Sequence, residues 1–183
     1  MAGTGANPPR LLLEGRPGAG KTTVAVRLIE LLEADGLRVT GFVAREVRGN
    51  RGRRLGFELE TVDGRHGLLA HVDLRGGPRV GRYGVALDDL ERIAVPILER
   101  AAGGSILVVD ELGKMELASA RFRGAVAGVL ARPLPLVATV HAFAHPFTDA
   151  LKRDASVTVV PVTRGNRDAL APELAACVGS WAR

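Results

Sequence analysis

Two stretches of this 183-residue chain carry residue types suited to phosphate chemistry. The first is Gly15-Arg16-Pro17-Gly18-Ala19-Gly20-Lys21-Thr22, two glycines four residues apart in the run that ends in lysine and threonine. That spacing is the phosphate-loop pattern. Glycines let backbone N–H groups curl around phosphate oxygens with no Cβ in the way. The helix expected to start at Lys21 would turn its positive end toward the same anion. Lys21 would reach the outer phosphates, and the Thr22 hydroxyl would join the shell of a bound Mg2+.

The second stretch is Val108 to Leu117, VVDELGKMEL, in which an apolar run ends in two adjacent carboxylates. Asp110 follows Ile106, Leu107, Val108 and Val109, so it stands where phosphate-loop enzymes place the carboxylate that steadies the metal. Glu111 can accept a hydrogen bond from a water aligned with a γ-phosphate, which is the requirement of hydrolysis rather than of transfer to an acceptor. The alternative is that Glu111 pairs at the surface with Lys114 or Arg121. Lys114 would then either stabilise phosphate charge or anchor Glu111.

Further cations lie in a segment rich in arginine. Arg45 and Arg48 flank Glu46, Arg51, Arg53 and Arg54 cluster at a turn, and Arg82 adjoins Tyr83. Strand alternation puts Arg45 and Glu46 on opposite faces, so no direct pair is expected between them. Arg48 and Arg82 are the preferred candidates for a finger on the γ-phosphate; Arg51, Arg53 and Arg54 read as a solvated basic turn. Thr139 and His141 end the strand after the acidic one, where a polar group can sense that phosphate. His141 and His145 have the spacing of a helical metal pair, but Pro146 disfavours helical geometry at His145 and no third ligand is near. Asn166 is open to a base or ribose contact or to a turn and capping role. Cys177 is expected to be a buried helix residue.

The elements that must position these groups alternate. Leu11 to Leu13 read as a buried strand, Lys21 to Ala34 as an amphipathic helix stopped by Asp35 and Gly36, and Arg38 to Ala44 as a second strand. Residues 43–85 break the alternation with short extended runs and Gly-Asn-Arg-Gly and Asp-Gly turns, the pattern of antiparallel hairpins. Then follow a helix from Leu87 to Ala102, a strand from Ser105 to Val109 and a helix from Met115 to Ala131. Strands at Leu136–Val140 and Val157–Val162 and a last helix carrying Leu170, Leu174, Cys177 and Trp181 complete the order. The expectation is one α/β domain over residues 1–183, with a mostly parallel sheet covered on both faces, a β-rich insertion at 43–85 and a flexible tail at 1–9.

Bulk properties agree. Hydrophobic residues make up 46% and charged residues 25%, the balance of a globular protein, and no apolar run is long enough for a membrane span. One cysteine precludes an internal disulfide and fits a reducing, cytoplasmic setting. The net charge of +5 fits polyanionic partners, nucleoside triphosphates or nucleic acid. Aromatics at 4% leave little for a large base-stacking platform. No feature sets an oligomeric state, and a monomer is compatible with all of them.

Several segments together resemble a known family, the small phosphate-loop nucleoside-triphosphatases of the THEP type, which include the cancer-related nucleoside-triphosphatase. They are GRPGAGKTT, GFVAREVRGNRGRRLGFEL, VGRYGV, VVDELGKMEL, ATVHAFAHPF and VTRGNRDAL, in the family's order along nearly the whole chain. The resemblance implies a RecA-like α/β fold that hydrolyses several nucleoside triphosphates to diphosphate and phosphate with Mg2+. The family's nucleotide-contacting segments map onto Gly15 to Thr22 and onto Ile106 to Gly113, with Leu112 where isoleucine is usual. Two other classes keep a place beside hydrolysis: a nucleotide or small-metabolite kinase whose insertion holds an acceptor, and a nucleotide-switched nucleic-acid-binding module.

Overall fold

In a computed structural model, residues 7–182 form a nine-stranded mixed sheet flanked by five α-helices. The strands are β1 (Arg10–Gly15), β2 (Val39–Arg48), β3 (Arg54–Thr61), β4 (His66–His71), β5 (Arg79–Val80), β6 (Tyr83–Val85), β7 (Ile106–Leu112), β8 (Leu136–His141) and β9 (Thr158–Pro161). The helices are α1 (Lys21–Ala34), α2 (Leu87–Arg100), α3 (Ala120–Leu130), α4 (Pro146–Arg153) and α5 (Arg167–Ala182). Spatial order is β5-β6-β4-β3-β2-β7-β8-β1-β9. The run from β2 to β9 is parallel, and the insertion continues the same sheet as antiparallel strands beyond β2.

The near-continuous apolar runs of β1, β7 and β8 reflect burial on both faces. Leu11, Leu13, Ile106, Val108 and Val137 face α1 and α5 through Val24, Leu28, Leu32, Leu170, Leu174 and Val178. Leu12, Leu107, Val109, Ala138 and Phe42 face α2 and α3 through Leu90, Leu98, Phe122 and Val126. Gly41 lets β2 approach β7: a Cβ there would lie 1.8 Å from the Val108 carbonyl oxygen, and its φ of +141° suits glycine.

Several boundaries differ from the sequence expectation. β7 does not stop at Val109 but runs through the carboxylates to Leu112, its pairing with β8 slipping between Val109 and Leu112. The helix expected from Met115 is a 3-10 turn at Glu116–Ala118 followed by α3, which starts where the Ser119 hydroxyl accepts the Phe122 N–H at 3.0 Å. The short α4 has no counterpart in the sequence expectation; its eight residues are opened by Pro146, with the His145 ring accepting the Phe147 N–H. Within the expected tail at 1–9, Pro8 is buried and the Pro9 carbonyl accepts the Leu136 N–H at 2.9 Å, so these two residues are held by the fold; residues 1–6 lie outside the described residues. Cys177 is exposed, not buried, because Leu174 and Val178 take the inward face of α5. No helix among the described residues is long and apolar enough to cross a membrane.

Candidate active site

The C-terminal ends of β1, β7 and β8 lie side by side, Gly15 paired with His141 and Leu112 with Val140. At this edge the phosphate loop turns from β1 into α1. Gly18 and Gly20 take φ of +77° and +103°, and Gly20 is the cap from which α1 starts. Arg16, Pro17 and Gly18 are exposed, Ala19 is buried, and Lys21 is only 6% exposed. Lys21 Nζ donates to the Gly15 carbonyl at 3.1 Å and lies 3.5 Å from Glu111 Oε2. One ammonium therefore ties the loop to the acidic strand.

Asp110 is fully buried. Its Oδ1 accepts the Thr139 hydroxyl at 2.6 Å, while Oδ2 has no partner. Burial pushes its carboxyl above the usual range, opposed by the Thr139 and Thr22 hydroxyls and helped by the charge of Glu111. A buried carboxylate oxygen without a donor, beside a threonine hydroxyl, fits a hard cation such as Mg2+. Glu111 is 30% exposed and reaches solvent while it is held by Lys21. It pairs with neither Lys114 nor Arg121; Arg121 bonds Glu91, and the Lys114 ammonium lies over the Phe143 ring, 5.9 Å from its centroid.

Glu116 is a site residue that sequence reading missed. It is 4% exposed, and its Oε2 accepts the Gly113 N–H at 3.1 Å. A Cβ on Gly113 would lie 2.9 Å from that oxygen and 3.2 Å from Glu111 Oε1, so the two carboxyl groups sandwich this glycine. Burial first, then the charge of Glu111, pushes Glu116 up to about 8, so it is protonated at neutral pH. Between Met115 and Leu117 it reads in sequence as an ordinary helix residue; only the turn at 116–118 draws it inward.

Arg167 is a second addition. A Cβ on Gly20 would lie 2.6 Å from Arg167 Cδ, so this side chain packs on the phosphate loop, and its buried Nε has no hydrogen-bond partner. Its signal was the VTRGNRDAL segment. The neighbouring Asn166 takes the turn role: its Oδ1 accepts the Thr163 N–H at 2.8 Å, and its amide donates to the Pro161 carbonyl.

His141 is buried, with Nδ1 accepting the Phe143 N–H at 3.2 Å and Nε2 unpartnered. Burial and the charge of Lys152 hold it below the usual histidine range. His145 is extended at the start of α4, so the two histidines do not form a helical metal pair, and no metal-ligating cluster occurs among the described residues. Arg48 bonds Glu46 and the Gly52 carbonyl, and Arg82 bonds the Arg54 carbonyl and the Tyr83 hydroxyl. Both candidate fingers are thus engaged within the insertion. A cleft of about 420 Å3 beside Arg38, Arg65 and Arg100 lies at the opposite edge of the sheet and contains none of the phosphate-loop or acidic-segment residues.

The sequence profile of the NTPase family matches residues 10–175. The chain belongs to the NTPase family. Relatives include nucleoside-triphosphatase THEP1 of Thermotoga sp. (strain RQ2), 40% identical over 166 residues that cover 90% of this chain and 92% of the relative. The cancer-related nucleoside-triphosphatase homolog of Mus musculus is 40% identical over 185 residues, 93% of this chain and 96% of its own. Among solved structures, THEP1 from Aquifex aeolicus superposes with a TM-score of 0.82 at 31% identity, covering 92% of this chain and 98% of its own. The solution structure of a human cancer-related nucleoside triphosphatase gives 0.81 at 35%, covering 94% and 98%. Both superpositions take in nearly the whole of this NTPase, so its central sheet and flanking helices are shared architecture.

Proposed function

We propose that this chain hydrolyses the γ-phosphate of ATP, GTP and other nucleoside triphosphates, giving the diphosphate and phosphate. The observation that carries this reading is Glu111, a partly exposed carboxylate held 3.5 Å from the phosphate-loop lysine. Glycines 15, 18 and 20 and the first turn of α1 would bind the phosphates through backbone N–H groups, and Lys21 would exchange the Gly15 carbonyl for phosphate oxygens. Glu111 would orient a water and accept its proton as the water oxygen bonds to the γ-phosphorus. The bond from that phosphorus to the bridging oxygen breaks, and its electron pair leaves with the diphosphate. Thr22 and Asp110 would hold Mg2+, and the ion would supply neutralising charge to the phosphates when bound. Arg48, Arg82, Lys114 and Arg167 are the cations from which further transition-state charge stabilisation would come. The main chain from Ile106 to Gly113 would carry the acidic groups toward the nucleotide. A cytoplasmic setting goes with this reading, since the substrates and a reduced thiol are found there.

Phosphate release from a panel of Mg-nucleoside triphosphates, without any acceptor, tests the proposal. Wild type should release phosphate while Lys21→Ala does not. Glu111→Gln should bind nucleotide yet turn over at least ~100-fold more slowly. Equal release by wild type and Lys21→Ala, or a full rate in Glu111→Gln, overturns the reading; transfer of the γ-phosphate onto an added small-molecule acceptor, with little phosphate release in its absence, makes the chain a kinase.

A further inference from the structure

We propose that the corner of the insertion built from residues 46–54 and 73–82 is a docking surface for single-stranded nucleic acid. These two segments hold seven arginines against two carboxylates, Glu46 and Asp73. That excess of five equals the formal net charge of the whole chain, +5. All seven arginines are exposed. The fold gathers them: the Arg82 guanidinium donates to the Arg54 carbonyl, and Arg79 Nη2 donates to the Arg82 carbonyl at 2.6 Å.

Folding uses only part of this charge. Glu46 is shared by Arg48 and Arg54, and Asp73 lies 3.6 Å from His71. The guanidinium groups of Arg51, Arg53 and Arg75 make no hydrogen bond, ion pair or ring contact among the described residues. A cluster of unpaired like charges is repulsive within the chain and is relieved by a polyanion. Arg51 even occupies the left-handed region at φ +62° to complete the turn, a conformation for which glycine is better suited.

The patch also offers flat surfaces, which distinguishes nucleic acid from an acidic polypeptide. The Arg54 guanidinium lies over the Phe57 ring at 5.4 Å, and Arg82 lies over the Tyr83 ring at 5.1 Å. The two rings meet edge to face at 5.4 Å, so guanidinium, ring, ring and guanidinium form one contiguous cluster of planar groups. Planar guanidinium and aromatic faces receive unstacked bases, which a duplex does not present. β2 pairs Val43 with Asp110 and then continues to Arg48, so the arginine turn projects from the same sheet edge as the nucleotide site. A strand bound there would lie along the same edge of the sheet as the phosphate loop, with β7 and β8 between β2 and the loop's strand β1.

Fluorescence anisotropy with a labelled uridine or thymidine oligomer of about 15 residues tests this, with a duplex of equal length and a polyglutamate peptide as competing probes. Neutralising about five phosphates predicts a roughly 100-fold loss of affinity between ~50 and ~200 mM salt. Arg51→Gly, Arg53→Ser and Arg75→Ser combined should reduce the log–log salt slope by about 2 while leaving nucleotide hydrolysis unchanged. Absence of binding at ~50 mM salt, an unchanged slope in the triple variant, or duplex or polyglutamate binding as tight as the single strand overturns the proposal. Photocrosslinking of 4-thiouridine-containing oligomer to the wild-type protein gives a readout independent of the variant's folding. Crosslinks within 46–54 or 73–82 support the surface, and crosslinks confined to other segments overturn it.

Discussion

Replacing Glu116 by glutamine isolates the energetic consequence of a carboxyl buried in the site. In the unfolded chain this group titrates near 4.5, and in the fold it is pushed up to about 8, chiefly by burial and then by Glu111. The folded state therefore binds the extra proton between those two values. Stability is full below the lower value, falls as pH rises through the window, and levels off above the upper one. A difference of that size corresponds to about 5 kcal/mol across the whole window, of which about 3 kcal/mol has been lost by pH 7. Glutamine keeps an oxygen for the Gly113 N–H and has no titration. Asp110 and His141, whose own shifts remain, contribute nearly equally to both proteins and cancel in the comparison. Denaturant unfolding of the nucleotide-free protein from about pH 5 to about pH 9 should show wild type losing several kcal/mol relative to Glu116→Gln. If the difference between the two proteins stays constant within about 1 kcal/mol across that range, Glu116 is ionised in the fold and its raised titration is refuted.

Other consequences follow from single contacts. Thr139→Val removes the 2.6 Å donor to the buried Asp110 and should destabilise the protein by about 1–3 kcal/mol, measured by denaturant midpoint. The same change removes an interaction that opposes the raised Asp110 titration, so the acid limb of the kcat/KM profile should move to higher pH. Gly41→Ala places a Cβ 1.8 Å from the Val108 oxygen at a φ of +141°, and a loss of about 4 kcal/mol or more, or failure to fold, is expected by thermal unfolding. Cys177 should react in the folded protein with a thiol reagent as fast as in the unfolded chain, and strong protection would contradict its exposure.

Much of the site was legible because its parts are local. A phosphate loop needs small residues and one lysine within eight positions, and those requirements are written consecutively in Gly15 to Thr22. Asp110 and Glu111 were readable for the same reason, since carboxylates that directly follow a buried apolar run call for a cation beside them. The places of Glu116 and Arg167 were not readable, although Arg167 lies in the VTRGNRDAL segment. Each owes its place to a turn or packing contact: Glu116 to a 3-10 turn that carries it inward to Gly113, Arg167 to the approach of α5 to Gly20. The short α4 escaped because eight residues opened by a proline carry too little periodicity to separate from a loop.

Local chemistry along the chain set the type of each core element, the loop that can cradle phosphate and the order in which strands and helices alternate, because these depend on neighbours within a few residues. Which groups meet was settled only on folding. Lys21 reached Glu111 rather than leaving it to Lys114 or Arg121, Thr139 found Asp110 across two adjacent strands, and Arg54 and Arg82 were gathered into one surface from segments far apart in the chain. Those pairings depend on strand order and register, which no local pattern encodes.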